Sequence, residues 1–246
     1  MKIVACSQAR LDSTRLPGKV LLQVGRKSLL DYHISRVAQA TKLVEHVIAT
    51  SENENDNKIV AFCEQRSVRV IRGSKDNVLL RFNAVADELA LDNEDRIIRL
   101  TADCPLVDGK LIDELVSSHL AQGDDYTSLN TGNLIRGFDA EIMSVAALRY
   151  AAKQAIKDYE REHVTPYIYQ HPELFKCGHF KALTNISSAA RLCIDEPADF
   201  TMFEALVATY PDDLLCASSQ DIMAFLALHP AIAQLNLHVH QKRLGE

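Results

Sequence analysis

No run of apolar residues in this 246-residue chain approaches the ~18 that a helical membrane span requires, so none is expected. The opening Met1–Cys6 is too short for the apolar region of a signal sequence, which points to a cytoplasmic protein. The six cysteines (Cys6, Cys63, Cys104, Cys177, Cys193 and Cys216) include no C-x-x-C pair, so reduced thiols are expected rather than a disulfide framework. The histidines show neither H-x-x-x-H nor H-E-x-x-H spacing, and no zinc site is expected from them. Basic charge is not in excess: 27 Lys and Arg stand against 33 Asp and Glu, a formal net charge of -6. General nucleic-acid binding is therefore disfavoured, and any anionic ligand must be met by a local basic cluster. There is no Walker pattern, since Gly18-Lys19 is followed by Val20, and no G-x-G-x-x-G. Repeats and low-complexity tracts are absent as well.

What is present is an ordinary globular composition, 47% hydrophobic and 24% charged, in a chain long enough for one large α/β domain. Short apolar runs alternate with helical periodicity. Ile3–Cys6, His46–Thr50, Val68–Ile71 and Arg96–Thr101 read as strands. Ser28 opens a helix with Asp31 placed for a capping box, and Asp56 can cap the next. Val78 to Leu91 reads as a helix, as does the segment from Asp108 to about Gln122. The order β-α-β-α implies a mostly parallel sheet covered on both faces, with ligands at the carboxyl ends of its strands. Further on, Tyr126–Leu129, Ala140–Met143 and Ala190–Ile194 are strand candidates. Val145–Ala155, Tyr159–Tyr169, Ala198–Thr209 (Pro197 at its first position) and Ser219–Leu228 are helix candidates. With no clean linker, the chain reads as a single domain over 1–246, with an insertion or dimer arm at about 130–185. Residues 210–246 carry no motif.

Two loops leave the same rim of such a sheet. The first, Gln8-Ala9-Arg10-Leu11-Asp12-Ser13-Thr14-Arg15-Leu16-Pro17-Gly18-Lys19, holds three cations and two hydroxyls. It suits a triphosphate, whose oxygens need Arg, Lys and backbone N–H groups; it is also compatible with a solvated loop. Pro17-Gly18 would turn Lys19 back toward Arg10 and Arg15. The second, Thr101-Ala102-Asp103-Cys104-Pro105-Leu106-Val107-Asp108, puts Asp103 just past a strand end, where a carboxylate can reach a bound Mg²⁺. Asp108 reads as the cap of the next helix. A third segment, Leu192-Cys193-Ile194-Asp195-Glu196-Pro197-Ala198-Asp199, repeats the strand-end Asp, with helix capping as the plain alternative.

The stretch QARLDSTRLPGKVL closely resembles the opening motif of the cytidylyltransferase-like proteins, and most of all the spore coat polysaccharide biosynthesis protein F family. Synthetases of CMP-sialic acid and CMP-3-deoxy-manno-octulosonate are relatives. The resemblance continues through TADCPLVD and the Ile194–Phe200 segment, spanning Ile3 to about Phe200. It implies a GT-A-like (Rossmann-like) nucleotide-diphospho-sugar transferase fold. It also implies transfer of CMP from CTP to a sugar or sugar acid, with pyrophosphate released, in surface polysaccharide biosynthesis. By that resemblance Arg10, Ser13, Arg15 and Lys19 hold the triphosphate. Asp103 and Asp195 hold Mg²⁺ (or Mn²⁺), while Asp199 is structural. Lys19, Arg10 and Asp103 are the residues expected to carry catalysis. Gly73, Ser74 and Asp76, in a matching G-S-x-D-x-V-L-x-R segment, are expected at base or ribose, and Arg81 at phosphate; a capped helix start with a surface Arg fits the same residues. Asp139 and Glu141 (G-x-D-x-E) are expected to orient sugar hydroxyls. Arg161 and His163 are candidate acceptor contacts, although a lone helical His is more often structural. A homodimer is expected by analogy. Two rival readings stand beside this one. A GT-A-type glycosyltransferase is opposed by the triphosphate-type loop and the lack of D-x-D. A non-catalytic nucleotide-binding pathway subunit is opposed by the retained Lys19, Asp103 and Asp195.

Overall fold

A computed structural model describes residues 1–130, 136–181 and 191–240. Its centre is a seven-stranded sheet of order β5-β4-β1-β6-β8-β7-β9. The strands are β1 (Ile3–Gln8), β4 (Glu45–Ser51), β5 (Arg69–Gly73), β6 (Arg96–Thr101), β7 (Tyr126–Asn130), β8 (Glu141–Ser144) and β9 (Cys177–Lys181). Only β8 runs against its neighbours β6 and β7; every other pairing in this sheet is parallel. A small hairpin of β2 (Gln23–Val24) and β3 (Lys27–Ser28) leads into the first helix.

Both faces of the sheet are covered at its centre, and the first strand shows why. Along β1, Val4 and Cys6 join a cluster with Val47, Ile71 and Phe82, while Ile3 and Ala5 join Ile98, Ile112 and Val116 on the opposite face. Alternate side chains of a strand point to opposite faces, so a continuous apolar run is what a two-sided parallel sheet requires. Helices α3 (Val78–Glu88) and α5 (Val145–Gln154) contribute to the first cluster, α1 (Leu29–Val37) and α4 (Gly109–Gln122) to the second, and α2 (Asn57–Glu64) packs with α1 around Ile48. A fourth cluster joins α8 (Pro197–Thr209), α9 (Ser219–Leu228) and α10 (Pro230–Ala233) to Leu29 and Tyr32 of α1 and to Leu106. Arg36 of α1 fastens this tail: fully buried, it donates to the carbonyls of Val107, Leu214, Leu215 and Ala217 at 2.8–3.0 Å.

Several helix starts follow the sequence signals. Ser28 and Asp31 form the capping box of α1, Asp108 accepts from Lys110 N at 2.8 Å, and Pro197 stands at the first turn of α8. Three expectations are corrected. Asp56 precedes α2 but does not cap it with its side chain; that carboxylate is buried, accepting from Leu11 N and the Ser51 hydroxyl, and ties the first loop to β4. The helix read over Tyr159–Tyr169 is two short ones, α6 (Asp158–His163) and α7 (Pro166–Tyr169). Val164, at φ 72, leaves the helical region and breaks it, and Pro166 then opens the second helix at its first turn. The strand read over Ala190–Ile194 is, among the described residues, a single bridge between Arg191 and Arg136. The Leu192 N–H donates to Arg136 O and the Ile194 N–H to Asp103 O, so the segment serves as a strap between two loops. Of the stretch 130–185, residues 136–181 supply β8 and β9 to the sheet and α5 to one of its faces.

Candidate active site

The chain after β1 is folded back on itself. The Gly18 N–H donates to Leu11 O at 2.9 Å, and Gly18 has φ 70, a left-handed conformation that costs a glycine little. Its turn sends Lys19 inward at the start of a short 3₁₀ turn, Lys19–Leu21. There Lys19 Nζ lies 2.7 Å from Asp103 Oδ2 and 2.8 Å from Asp195 Oδ1. Asp103 arrives from the end of β6 and Asp195 from just ahead of α8. Three segments far apart in sequence thus converge on one ammonium.

Asp195 is a node. Arg15 Nη2 is 3.3 Å from its Oδ1, and Arg191 pairs with its Oδ2. Behind it Asp199, wholly buried, accepts from Arg191 Nε at 3.1 Å and from the backbone N–H groups of Asp195 and Glu196 at 2.9 and 3.0 Å. Asn236, beyond α10, donates to Asp199 Oδ1 and to Arg191 O, each at 2.8 Å. Burial disfavours the charge on Lys19, but the two carboxylates outweigh it and raise its pKa. The same balance runs the other way for the acids: burial would raise Asp195, but Lys19, Arg15 and Arg191 hold it down to about 2, and Lys19 lowers Asp103. Lys19, Asp103 and Asp195 are therefore each held in their charged form. Three cations (Lys19, Arg15, Arg191) pair with four acidic side chains (Asp103, Asp195, Glu196, Asp199).

The cluster forms one wall of a cavity of about 690 Å³, within the range of small-molecule sites, roughly 300–1,000 Å³. The same cavity is lined by Arg10, Ser13, Arg15, Lys19, Arg81, Asp103, Asp139, Glu141, His163 and Asp195. Gly73, Ser74, Asp76 and Arg161 do not line it. The first three stay beside it: Arg81 Nη2 donates to the carbonyls of Ser74 and Lys75 at 2.7 and 2.9 Å, and Lys75 Nζ reaches Asp12 at 2.7 Å, joining their loop to the first one. Arg81 is thus buried against carbonyl oxygens, a different setting from the surface Arg of the plain reading. Gly73 packs directly on the Arg81 side chain, and a Cβ there would lie 3.0 Å from its Cγ. Arg161 Nε donates to Ala155 O at 3.2 Å.

At the other end of the cavity Glu141 accepts from Arg99, Tyr126 and Thr165. Asp139 pairs with Arg136 at 2.6 Å and accepts from Gly137 N at 2.9 Å. Gly137, at φ 117, lies against the Leu192 backbone, where a Cβ would come within 2.7 Å. That close approach sets the Asp139 segment beside the Asp195 segment. Burial lowers the pKa of His163. Two buried polar atoms of lining residues, Gln8 Oε1 and Arg99 Nε, have no protein partner among the described residues, as expected of groups meant for a ligand.

A buried polar chain underlies the Asp103 loop. His33 Nδ1 donates to Cys104 O at 2.9 Å, which leaves Nε2 to accept from the Ser7 hydroxyl at 2.6 Å; His46 Nε2 then donates to that hydroxyl at 2.8 Å. Burial pushes His33 down to about 4, so it is neutral near pH 7. Beside Asp103, the buried thiols of Cys104 and Cys193 approach one another; their mutual hydrogen bond and then burial raise the pKa of Cys193.

Sequence reasoning passed over Arg191, Asn236, Arg99 and the cysteine pair. Arg191 had a signal: a lone Arg in an apolar segment read as buried has to be paired. Asn236 had none.

A twisted α/β sheet with a basic loop and two converging carboxylates at its carboxyl rim defines a nucleotide-binding transferase. The cytidylyltransferase family profile matches residues 4–244, so the chain belongs to the cytidylyltransferase family. It is 37% identical over its full length to protein MJ1063 of Methanocaldococcus jannaschii, covering 99% of that protein. It is 38% identical to the spore coat polysaccharide biosynthesis protein SpsF of Bacillus subtilis, over 81% of this chain and 83% of that one. A solved cytidylyltransferase of Leptospira borgpetersenii superposes with a TM-score of 0.87 at 29% identity, covering 99% of both chains. The chain is an enzyme of the nucleotidyltransferase class, and its fold is the nucleotide-binding α/β fold that the motifs implied.

Proposed function

We propose that this cytidylyltransferase moves CMP from CTP to a hydroxyl of a sugar acid, releasing pyrophosphate, and that Asp103 and Asp195 hold Mg²⁺ (or Mn²⁺) for the transfer. The observation that carries the reading is the Lys19 ammonium seated between Asp103 and Asp195 beneath the basic loop. A cation already bridges two hard-oxygen donors there. Mg²⁺ prefers such carboxylates together with substrate phosphates, and when bound it supplies Lewis-acid polarisation and charge neutralisation.

The chain's own residues do the rest. Arg10 and Arg15, with the Ser13 hydroxyl and backbone N–H groups, bind triphosphate oxygens and neutralise charge on the departing pyrophosphate. Lys19 shares that charge once phosphate competes with its carboxylates. Gly73, Ser74 and Asp76 lie on the loop that Arg81 fixes next to the first loop, which supports a base or ribose role for them. The substrate oxygen forms its bond to the α-phosphorus as the α–β bridge breaks, and holding the partners in line is most of the catalysis. Arg99, Asp139, Glu141 and His163 form the acceptor end; Arg99 supplies the positive charge a sugar carboxylate needs. Curated relatives matching about half of this chain act, by name, on 3-deoxy-manno-octulosonate, which supports a sugar-acid acceptor.

The SpsF likeness supports a role in surface polysaccharide biosynthesis, and six unpaired cysteines support a cytoplasmic setting. No helix among the described residues is long and apolar enough to cross a membrane. The chain is read as one domain. A homodimer through the α5–α7 region is supported by exposed Tyr150, Ile156, Tyr169 and Leu174 there.

Thermal stability with CTP, UTP, ATP and GTP, each with and without Mg²⁺, tests the nucleotide half; pyrophosphate release with CTP and 3-deoxy-manno-octulosonate tests the acceptor half. A CTP-selective, Mg²⁺-enhanced stabilisation is expected. In Asp103→Asn, turnover should fall about 10²- to 10³-fold, roughly 3–4 kcal/mol of transition-state stabilisation. Stabilisation by nucleotide diphosphate sugars and by no triphosphate would overturn the reading.

A further inference from the structure

Cys104 and Cys193 stand 89 positions apart in the sequence, yet Cys104 Sγ, Cys193 Sγ and a carboxylate oxygen of Asp103 all lie within 4.8 Å of one another. Both thiols are buried against the protein and both line the active-site cavity, so a small ion can reach them through it. The division of oxygens is what makes this more than crowding. Lys19 takes Asp103 Oδ2 and Asp195 Oδ1. Asp103 Oδ1 faces the sulfurs instead, 3.7 Å from Cys104 Sγ, and Cys193 Sγ lies 3.7 Å from Asp195 Oδ2.

We propose that Asp103 Oδ1, Cys104 Sγ and Cys193 Sγ form a second metal site, selective for a thiophilic divalent cation such as Zn²⁺, beside the hard-oxygen site of the reaction. Zinc binds sulfur at about 2.3 Å and carboxylate oxygen at about 2.0–2.2 Å, which puts ligands of one tetrahedral ion roughly 3.5–3.8 Å apart. Contraction of the trio by about an ångström therefore suffices, and Lys19 need not leave its two oxygens. Three protein ligands and one open position complete the ion. Sulfur donors disfavour Mg²⁺ and favour Zn²⁺ or Cd²⁺, so the two sites discriminate by ligand softness rather than by shape. The absence of zinc-type histidine spacing does not bear on this site, because its sulfurs come from two different loops. The consequence for activity, which rests on the proposed reaction, is inhibition: an ion on Asp103 draws that carboxylate away from Mg²⁺.

Cd²⁺ is the probe, because its bonds to thiolate absorb in the ultraviolet. The chain carrying Cys216→Ser, which removes the exposed thiol, is titrated with Cd²⁺ under a phosphine reductant. One equivalent should give a thiolate-to-cadmium band, lost or at least halved in Cys104→Ser and in Cys193→Ser. In Asp103→Asn the band should persist with at least tenfold weaker affinity. Should the serine variants not fold, cadmium NMR of the parent chain reads the ligands directly. A two-sulfur chemical shift supports the site, and an oxygen-only shift or the absence of a band overturns it. None of these readouts depends on transferase activity. A separate assay of pyrophosphate release, with Zn²⁺ inhibiting and excess Mg²⁺ restoring, tests the inhibitory consequence.

Discussion

Replacing Lys19 with Met removes the ammonium between Asp103 and Asp195 and leaves two shielded carboxylates facing each other. The structure sets the size of the effect. Asp195 is held at about 2 rather than its ordinary 3.8, a displacement equivalent to about 2 kcal/mol, shared among Lys19, Arg15 and Arg191. Asp103 has Lys19 as its one ion-pair partner among the described residues, so it loses that pairing altogether and keeps only hydrogen bonding such as that from Thr101. Stripping one partner from a buried pair costs about 3–5 kcal/mol, and since Arg15 and Arg191 remain with Asp195, the expected loss is about 3. For a chain of this length that lowers Tm by about 6–12 °C. The pH dependence follows in sign. Carboxylates with depressed pKa values stabilise the fold above their unfolded value, near 3.8, and lose that contribution as pH falls through the folded one, about 2 for Asp195. The gap between wild type and Lys19→Met should therefore be full above about pH 5 and close under stronger acid. Melting curves in a metal chelator from pH 7 to pH 2 measure it. Mg²⁺ should then stabilise the variant more than the wild type. An unchanged Tm, or a gap that persists in acid, would refute the assignment of Lys19 as counter-ion to this pair.

Asn236→Leu removes two hydrogen bonds to the Asp199–Arg191 support, one of them to a buried carboxylate, and should cost about 2 kcal/mol in urea unfolding. It should also weaken the Mg²⁺-dependent stabilisation by CTP, a readout that loss of tail packing alone would not move. His33 is buried and neutral, with its pKa pushed from 6.5 down to about 4. A depressed histidine makes the fold lose stability as pH falls from its unfolded value to its folded one, at up to about 1.4 kcal/mol per pH unit. Urea midpoints between pH 6.5 and 4 should thus fall less steeply in His33→Gln.

The first half of the fold was legible because its signals are local. Arg96–Thr101 is recovered as read, and β1, β4 and β5 differ from their sequence readings by only a residue or two at each end. Their continuous apolar runs fit no one-sided environment, and Ser28–Asp31 announces its capping box. Misreadings came where tertiary contacts override local pattern. Asp56 looks like a cap and is a tether, because Leu11 and Ser51 compete for its carboxylate. Ala190–Ile194 has a strand's composition, yet the N–H groups of Leu192 and Ile194 are claimed by two loops. The loops bearing Lys19, Asp103 and Asp195 were recognisable from their motifs, but their convergence on one ammonium was not. Nor was the support given by Asn236, since no local period links residue 236 to a pocket built from the other end of the chain.

The strap that runs from β6 through Asp103, Ile194 and Asp199 to Asn236 also sets an order of assembly. A nascent chain can form β1, β4, β5 and β6 as soon as they emerge, and N-terminal portions fold first during synthesis. The Lys19–Asp195 contact closes over 176 positions and the Asn236–Arg191 contact over a further 45. The first of these carries a large loop-closure cost, and the second waits for the last residues to be made, so both form late. The sheet is thus able to stand before the chemistry is wired. A polypeptide interrupted between residues 200 and 230 would have its basic loop and its first carboxylate, yet lack the amide that braces the second, so the full cluster is braced only with the final turns.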